Sequence, residues 1–255
     1  MGALDGRCAL ITGASGGMGR ATAVEFAKEG AKAIGLQFSR NKVAAESVAK
    51  AVREHGAEPL LLQADVSDRG ECHGIVRRFV ERFRRLDALV CYAGYPFRKE
   101  VWFAEFEGLS EEAFLGPLRV DLLGSVFAAQ VAVPVMRKQR GGAIVLVGST
   151  PAITGDVAGI PYFVAKAGVL ALTRGLAQLL GPHNVHVNAI APGAVDTEAM
   201  AGLSPKEAKS LAQEAALRRR GEPHEIARKA VFLCSDDASF MTGVTLVVDG
   251  GYAMR

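Results

Sequence analysis

Cysteine, tryptophan and runs of like charge are scarce in this chain, and each scarcity narrows what the protein can be. The four cysteines, Cys8, Cys72, Cys91 and Cys234, are widely scattered, with no CxxC pair and no histidines at zinc spacing. That argues against a zinc site or a disulfide framework and fits reduced thiols in a cytoplasmic protein. His183 and His186 flank an expected strand, where an i, i+3 spacing places side chains on opposite faces, so no metal is expected there. Basic residues number 30 against 27 acidic, a net charge of +3. So balanced a surface makes neither a nucleic acid nor a membrane an expected partner. The densest basic run, Arg218-Arg219-Arg220, is short for an interaction tail and reads as a solvated loop or a set of ion-pair donors. Met1 to Arg7 lack an apolar signal region, and Gly6 stands where a myristoylation motif needs Ser or Thr. The most apolar stretches, Val126 to Met136 and Val169 to Leu180, are interrupted by Gln130, Pro134 and Arg174, short of an unbroken membrane span.

What the chain does have is glycine and short aliphatic runs. With 255 residues, 49% apolar and 29 glycines, it has the material for one sizeable core and a single domain over 1–255. Strand-like runs fall at Cys8 to Thr12, Lys32 to Phe38, Pro59 to Gln63, Ala88 to Cys91, Ala143 to Val147, Val185 to Ile190 and Thr245 to Val248. Helical patterns alternate with them at Gly19 to Glu29, Lys42 to His55, Asp68 to Phe83, Glu111 to Arg137, Tyr162 to Leu180 and Glu222 to Cys234. Strands apolar throughout are expected where helices cover both faces, so the fold class is α/β, a doubly wound parallel sheet. The segment 198–217 has the least strand character late in the chain and reads as a helical lid over a site.

A glycine-rich loop, Thr12-Gly13-Ala14-Ser15-Gly16-Gly17-Met18-Gly19, follows the first strand and opens the first helix. In that context Gly13 permits a tight turn, Gly17 lets the backbone approach a pyrophosphate, and Gly19 lets helix pack on strand. Free N–H groups at the helix start complete the cradle, with Ser15 and Met18 in the same loop. At the end of the second strand, where an acid would accept from a ribose hydroxyl, the residues are Gln37, Phe38, Ser39 and Arg40, followed by Lys42. Arg40 and Lys42 can pair with a 2′-phosphate, which favours NADP(H) over NAD(H). The other reading leaves both cations solvated. Asp65-Val66 ends the third strand, where a carboxylate can reach an adenine amino group or, alternatively, cap the following helix.

Tyr162 and Lys166 stand four apart at the start of a helical pattern and project from one face. An ammonium beside a phenol favours the phenolate, which suits general acid or base work. A YxxxK pair alone is common; its place after a strand ending in Gly148-Ser149 raises its weight.

These features in order resemble the short-chain dehydrogenase/reductase family in its short single-domain form, over essentially the whole chain. The motifs are the Thr12 to Gly19 loop, Asp65, Ala93-Gly94, Ser149 thirteen residues before Tyr162, Lys166, Pro192-Gly193, Thr197 and Val248-Asp249-Gly250-Gly251. The resemblance implies a Rossmann fold with a seven-stranded sheet in the order 3-2-1-4-5-6-7 and a homotetramer or dimer. It implies that Tyr162 exchanges the substrate oxygen's proton while nicotinamide transfers hydride, that Ser149 polarises that oxygen, and that Lys166 binds the nicotinamide ribose. Ala93 and Gly94 would approach the cofactor closely, and Pro192, Gly193, Val195 and Thr197 would hold its nicotinamide amide and pyrophosphate. By the same analogy the pocket includes Tyr95, Phe97, Trp102, Ile153, Val195 and Met200, all equally readable as core or subunit contacts.

Two departures stand out. Cys91-Tyr92 replace two amides of the family's Asn-Asn-Ala-Gly, with Tyr92 able to restore a hydrogen bond through its hydroxyl or simply to pack. Asp121 stands where the family's fourth catalytic residue is an asparagine. The expected function is thus NAD(P)-dependent hydride transfer between nicotinamide and a carbonyl or alcohol, similar to 3-oxoacyl-[acyl-carrier-protein] reductases. The competing class is a catalytically weak dinucleotide sensor or scaffold.

Overall fold

A computed structural model describes residues 2–254. Seven parallel strands form one sheet in the order β3-β2-β1-β4-β5-β6-β7: β1 (Cys8–Thr12), β2 (Ala33–Phe38), β3 (Glu58–Gln63), β4 (Ala88–Cys91), β5 (Gly142–Val147), β6 (Val185–Pro192) and β7 (Thr245–Val248). The helices, in chain order, are α1 (Gly17–Lys28), α2 (Lys42–Glu54), α3 (Arg69–Phe83), α4 (Lys99–Trp102), α5 (Glu111–Pro117), α6 (Gly124–Gln139), α7 (Pro151–Thr154), α8 (Ile160–Leu180), α9 (Pro205–Glu214) and α10 (Pro223–Cys234).

Successive strand side chains point to opposite faces, and here both faces are dry. Ala9, Ile11, Val90 and Val145 join a core layer with Phe26 of α1, Val48 of α2 and Ile226 of α10. Leu10, Leu89, Ile144 and Leu146 join the opposite layer with Phe79 of α3, Ala132 and Met136 of α6, and Val169 of α8. This explains why the inner strands read as continuous apolar runs. The reading of every strand as buried fails at the two edges: β3 is buried only at Leu62, and β7 has no fully buried residue. An edge strand has one paired neighbour, so less of it is covered.

The pattern Glu111 to Arg137 is not one regular helix. A π-helical turn at Leu118–Leu123 separates α5 from α6 and carries Asp121. Such turns insert one extra residue into the ladder and re-aim a side chain. The stretches Glu111–Gln139 and Ile160–His183 are each long and apolar enough by length and composition to cross a membrane, but both bury residues against the sheet. In the segment 198–217 the structure has a 3-10 turn at Glu198–Met200, then α9, whose start is closed by a reciprocal cap between Ser204 and Glu207. No residue of α9 is buried.

Candidate active site

The carboxyl ends of β4, β5 and β6 bring the predicted catalytic residues to one place. The Gly148 N–H donates to the Ile190 carbonyl (2.8 Å) and the Thr150 N–H to the Pro192 carbonyl (3.0 Å). Ser149 therefore sits where β5 runs out beside β6, only 8% exposed. Lys166, one turn along α8 from the half-buried Tyr162, extends its ammonium back to the sheet and donates to the Val147 carbonyl (2.9 Å). The same nitrogen lies 5.6 Å from the centre of the Tyr162 ring and 2.9 Å from Asp121 Oδ1.

That last pair is dry, with the two side chains 6% and 0% exposed. Asp121 Oδ2 accepts from the Tyr95 N–H (2.8 Å). Oδ1 has no aligned hydrogen bond, so its contact with Lys166 is ionic. Burial alone would push Lys166 down, but Asp121, Tyr162 and Cys91 act against it and hold the ammonium's pKa above the ordinary lysine value. The structure thus places Asp121 against Lys166, which the sequence left open, and the π-helical turn is what aims it there. Cys91, beside this group, is buried, and its thiol is pushed up to about 12, first by burial. All four cysteines are free and buried.

The glycine loop lies in the crevice between β1, β2 and β4. Gly13 adopts φ +65°, and a Cβ there would stand 2.7 Å from the Ala93 nitrogen. Ala93 in turn donates to Thr12 Oγ1 (3.2 Å), binding the end of β4 to the loop. At Gly19 a Cβ would meet the Gly13 carbonyl oxygen at 2.3 Å. No side chain caps α1, whose first N–H groups are those of Gly17, Met18 and Gly19 after Gly16. Ser15 is half-buried in the same turn.

Sequence reading missed two contacts here. Gln37, 2% exposed, accepts from the Gly13 N–H (2.7 Å) and donates to the Ala64 carbonyl (2.9 Å), so it braces the loop from below. Its signal was an amide inside an otherwise apolar strand. Thr197 and Glu198 pack against Gly17, where a Cβ would lie 2.7 Å from Thr197 Cγ2, and Glu198 pairs with Arg20 at 2.6 Å.

The remaining predicted positions divide. Ser39 and Arg40 are exposed beyond β2, and Lys42 makes an exposed contact with Glu46 at 3.7 Å. Asp65 is exposed, and its Oδ1 accepts from the Ser67 N–H (2.9 Å) and hydroxyl (2.7 Å); Asp68, not Asp65, caps α3. Val66 is buried against Gly124. Gly94 is exposed, with Asp121 Oδ1 3.3 Å from where its Cβ would be. Pro192 ends β6, and a Cβ on Gly193 would meet Asp249 at 2.8 Å. Val195 is 4% exposed within the core layer of α1 and α10, so its side chain is a core residue and not a pocket wall. The Arg218 to Arg220 run is structural: Arg218 donates to the Gln213 carbonyl, Arg219 pairs with Glu225 and Arg220 with Asp196.

Tyr92 keeps its sheet end tied by accepting from Thr22 Oγ1 at 2.9 Å. On the outer side, Trp102 packs its ring on Tyr162 (centroids 5.6 Å apart), on Phe163 (5.9 Å) and on Phe97 (5.4 Å). Lys99 of α4 pairs with Glu207 of α9 at 2.8 Å. That hydrogen bond, with the Ser204 cap, holds the Glu207 carboxyl down at about 2.

Residues 13–253 match the family model described as enoyl-(acyl carrier protein) reductase. The chain is 35% identical to the 3-oxoacyl-[acyl-carrier-protein] reductase of Thermotoga maritima, over 97% of this chain and 98% of that one. It is also 35% identical to the cis-4-hydroxycyclohexanecarboxylate dehydrogenase of Sinomonas cyclohexanicum, over 96% of each. Its fold superposes on a double mutant of a short-chain dehydrogenase/reductase from Serratia marcescens with a TM-score of 0.90 at 32% identity, covering 98% of this chain and 99% of that one. With the seven-stranded order and these matches together, the chain belongs to the short-chain dehydrogenase/reductase family and is a nicotinamide-dependent oxidoreductase acting on a small molecule.

Proposed function

We propose that Tyr162 exchanges a proton with the oxygen of a carbonyl or alcohol substrate, that Ser149 orients that oxygen, and that Lys166, held by Asp121, keeps a positive charge beside the phenol. One observation carries this reading: the buried Lys166 ammonium spans the Val147 carbonyl, Asp121 and the Tyr162 ring directly beneath the strand end that bears Ser149. The departures that suggest an idle sensor are each accommodated, Asp121 by Lys166 and Tyr92 by Thr22.

The residues present fit a dinucleotide, because the α1 start is uncapped and Gly13 leaves no room for a Cβ against Ala93. Gly13, Ser15, Gly17, Met18 and Gly19 would hold its pyrophosphate, Asp65 and Val66 its adenine, and Ala93, Gly94, Pro192, Gly193, Val195 and Thr197 its nicotinamide half. When bound, nicotinamide supplies or accepts hydride. Arg40, exposed past β2, favours NADP(H), since Gln37 is committed inward and no carboxylate stands there for a ribose hydroxyl. The segment 198–217 serves as a substrate lid. The substrate is a carbonyl or alcohol, a class that takes in 3-oxoacyl thioesters, ketones, steroid-like alcohols and quinones, and the relatives named for 3-oxoacyl-[acyl-carrier-protein] reduction and for cis-4-hydroxycyclohexanecarboxylate dehydrogenation both fall within it. Buried free thiols suit a reducing cytoplasm, and the exposed Val164 and Leu179 of α8 with Val247 of β7 suit a homo-oligomer.

The test is oxidation of NADPH and NADH against acetoacetyl thioesters, diketones and quinones, with Tyr162→Phe as control. Wild-type turnover that disappears in the variant is expected. For the cofactor, Arg40→Ala should raise the NADPH Kd about tenfold and leave NADH nearly unchanged, because a charge-assisted contact to phosphate is lost. Equal loss for both cofactors would refute the pairing.

A further inference from the structure

The aromatic group beside Tyr162 has a geometry that the catalytic residues do not need. Trp102 is the only tryptophan of the chain, carried on a helix of four residues too short to hold position by itself. It is nevertheless fixed from several sides. Its carbonyl accepts from the Gly159 N–H at 2.9 Å. Gly159 adopts φ +76°, and a Cβ there would stand 2.9 Å from three carbons of the indole, so glycine is what allows the ring to lie flat on this turn. Upstream, the Tyr95 N–H is tied to Asp121 at 2.8 Å, and downstream Lys99 is tied to Glu207 of α9 at 2.8 Å.

Phe97 and Phe163 pack against the same indole, which remains half-buried, tilted 47° to the Tyr162 ring. A flat apolar surface therefore borders the phenol that exchanges the proton. The charges of this segment are already used: Arg98 pairs with Glu100 at 3.1 Å and Lys99 with Glu207 at 2.8 Å.

We propose that Trp102 is a specificity-determining residue whose indole stacks on a ring-bearing substrate, so that the enzyme prefers a neutral cyclic ketone or secondary alcohol to an open-chain thioester. This rests on the oxidoreductase reading and narrows its substrate class. A planar ring gains both buried area and offset stacking against indole, whereas a flexible chain gains less area and loses rotamer freedom. Arg98 and Lys99, being paired, offer no competing anchor for a phosphate or carboxylate.

The single tryptophan makes binding visible without turnover. With oxidised dinucleotide bound, 2-tetralone should change the Trp102 emission saturably, and the N-acetylcysteamine thioester of acetoacetate should do so only at much higher concentration. In NADPH oxidation, Trp102→Ala should raise the KM for 2-tetralone about tenfold with kcat within about threefold, leave the thioester KM within about twofold, and be rescued in large part by Trp102→Phe. Equal losses on both substrates, a wild-type preference for the thioester, or no emission change with 2-tetralone would overturn the proposal. Absence of NADPH oxidation with every carbonyl would instead count against the oxidoreductase reading, and the emission titration would still decide what Trp102 binds.

Discussion

At Lys166, burial and charge pull in opposite directions, and the outcome decides what the active site can do across pH. Desolvation favours the neutral amine, while Asp121, Tyr162 and Cys91 favour the ammonium and prevail. A lysine whose pKa is raised on folding contributes stability that is fully present below its unfolded value and lost only as pH rises through the folded one. The pair with Asp121 therefore persists through neutral and mildly alkaline solution. Removing the carboxylate strands a buried cation, so Asp121→Ala should lower the unfolding free energy at pH 7 by about 3–5 kcal/mol in denaturant titration. A loss below about 1 kcal/mol would mean that water or a shifted side chain replaces the partner. Asp121→Asn keeps an acceptor for the Tyr95 N–H and should alter turnover by less than about tenfold, whereas a gain of orders of magnitude would show that the carboxylate obstructs proton movement.

Elements were legible in the sequence to the extent that their signal was local. The five inner strands announce themselves because both faces are buried, and α2 and α3 because Ala45, Val48, Ala49 and Val52 in the one, and Cys72, Ile75, Val76 and Phe79 in the other, bury one face at helical spacing. The π-helical turn was not legible, since Leu118 to Leu123 carry the same apolar pattern as the helix on either side. Nor was α4, whose four residues are too few for a period. Its position depends on Gly159, far along the chain. The same holds for the start of the segment 198–217, where Glu198 and Thr197 rest on Gly17 and Arg20 fastens Glu198. Glu198 Oε2 stands 3.0 Å from where a Gly17 Cβ would lie, so at the proposed phosphate cradle it would repel a pyrophosphate. Glu198→Ala should therefore tighten dinucleotide binding two- to fivefold by titration, the modest effect expected of an exposed ion pair. Weaker binding would show that the Arg20 clasp instead assists closure.

Across the whole molecule, the alternation of strands and helices was enough to give a doubly wound parallel sheet with its loops at the carboxyl edge, whereas the order of its strands came from the family resemblance and is the order observed. Tyr162 and Lys166 could be paired from one helical turn of spacing and their place after the strand end at Gly148-Ser149, and the role of Ser149 came from the family resemblance. The contacts of Gln37 and Glu198 could not be read this way, because their partners come from other parts of the chain, and Trp102 could be placed in the pocket by analogy but not against the Tyr162 ring. The central claim is that Tyr162 moves the proton while the rest of the site holds its partners. Its most direct measurement is dinucleotide affinity and NADPH oxidation on one preparation of Tyr162→Phe, beside wild type. The account predicts unchanged affinity within about twofold and turnover reduced by about 10²–10⁴, the contribution of a positioned general acid. Turnover that survives the loss of the hydroxyl would contradict it.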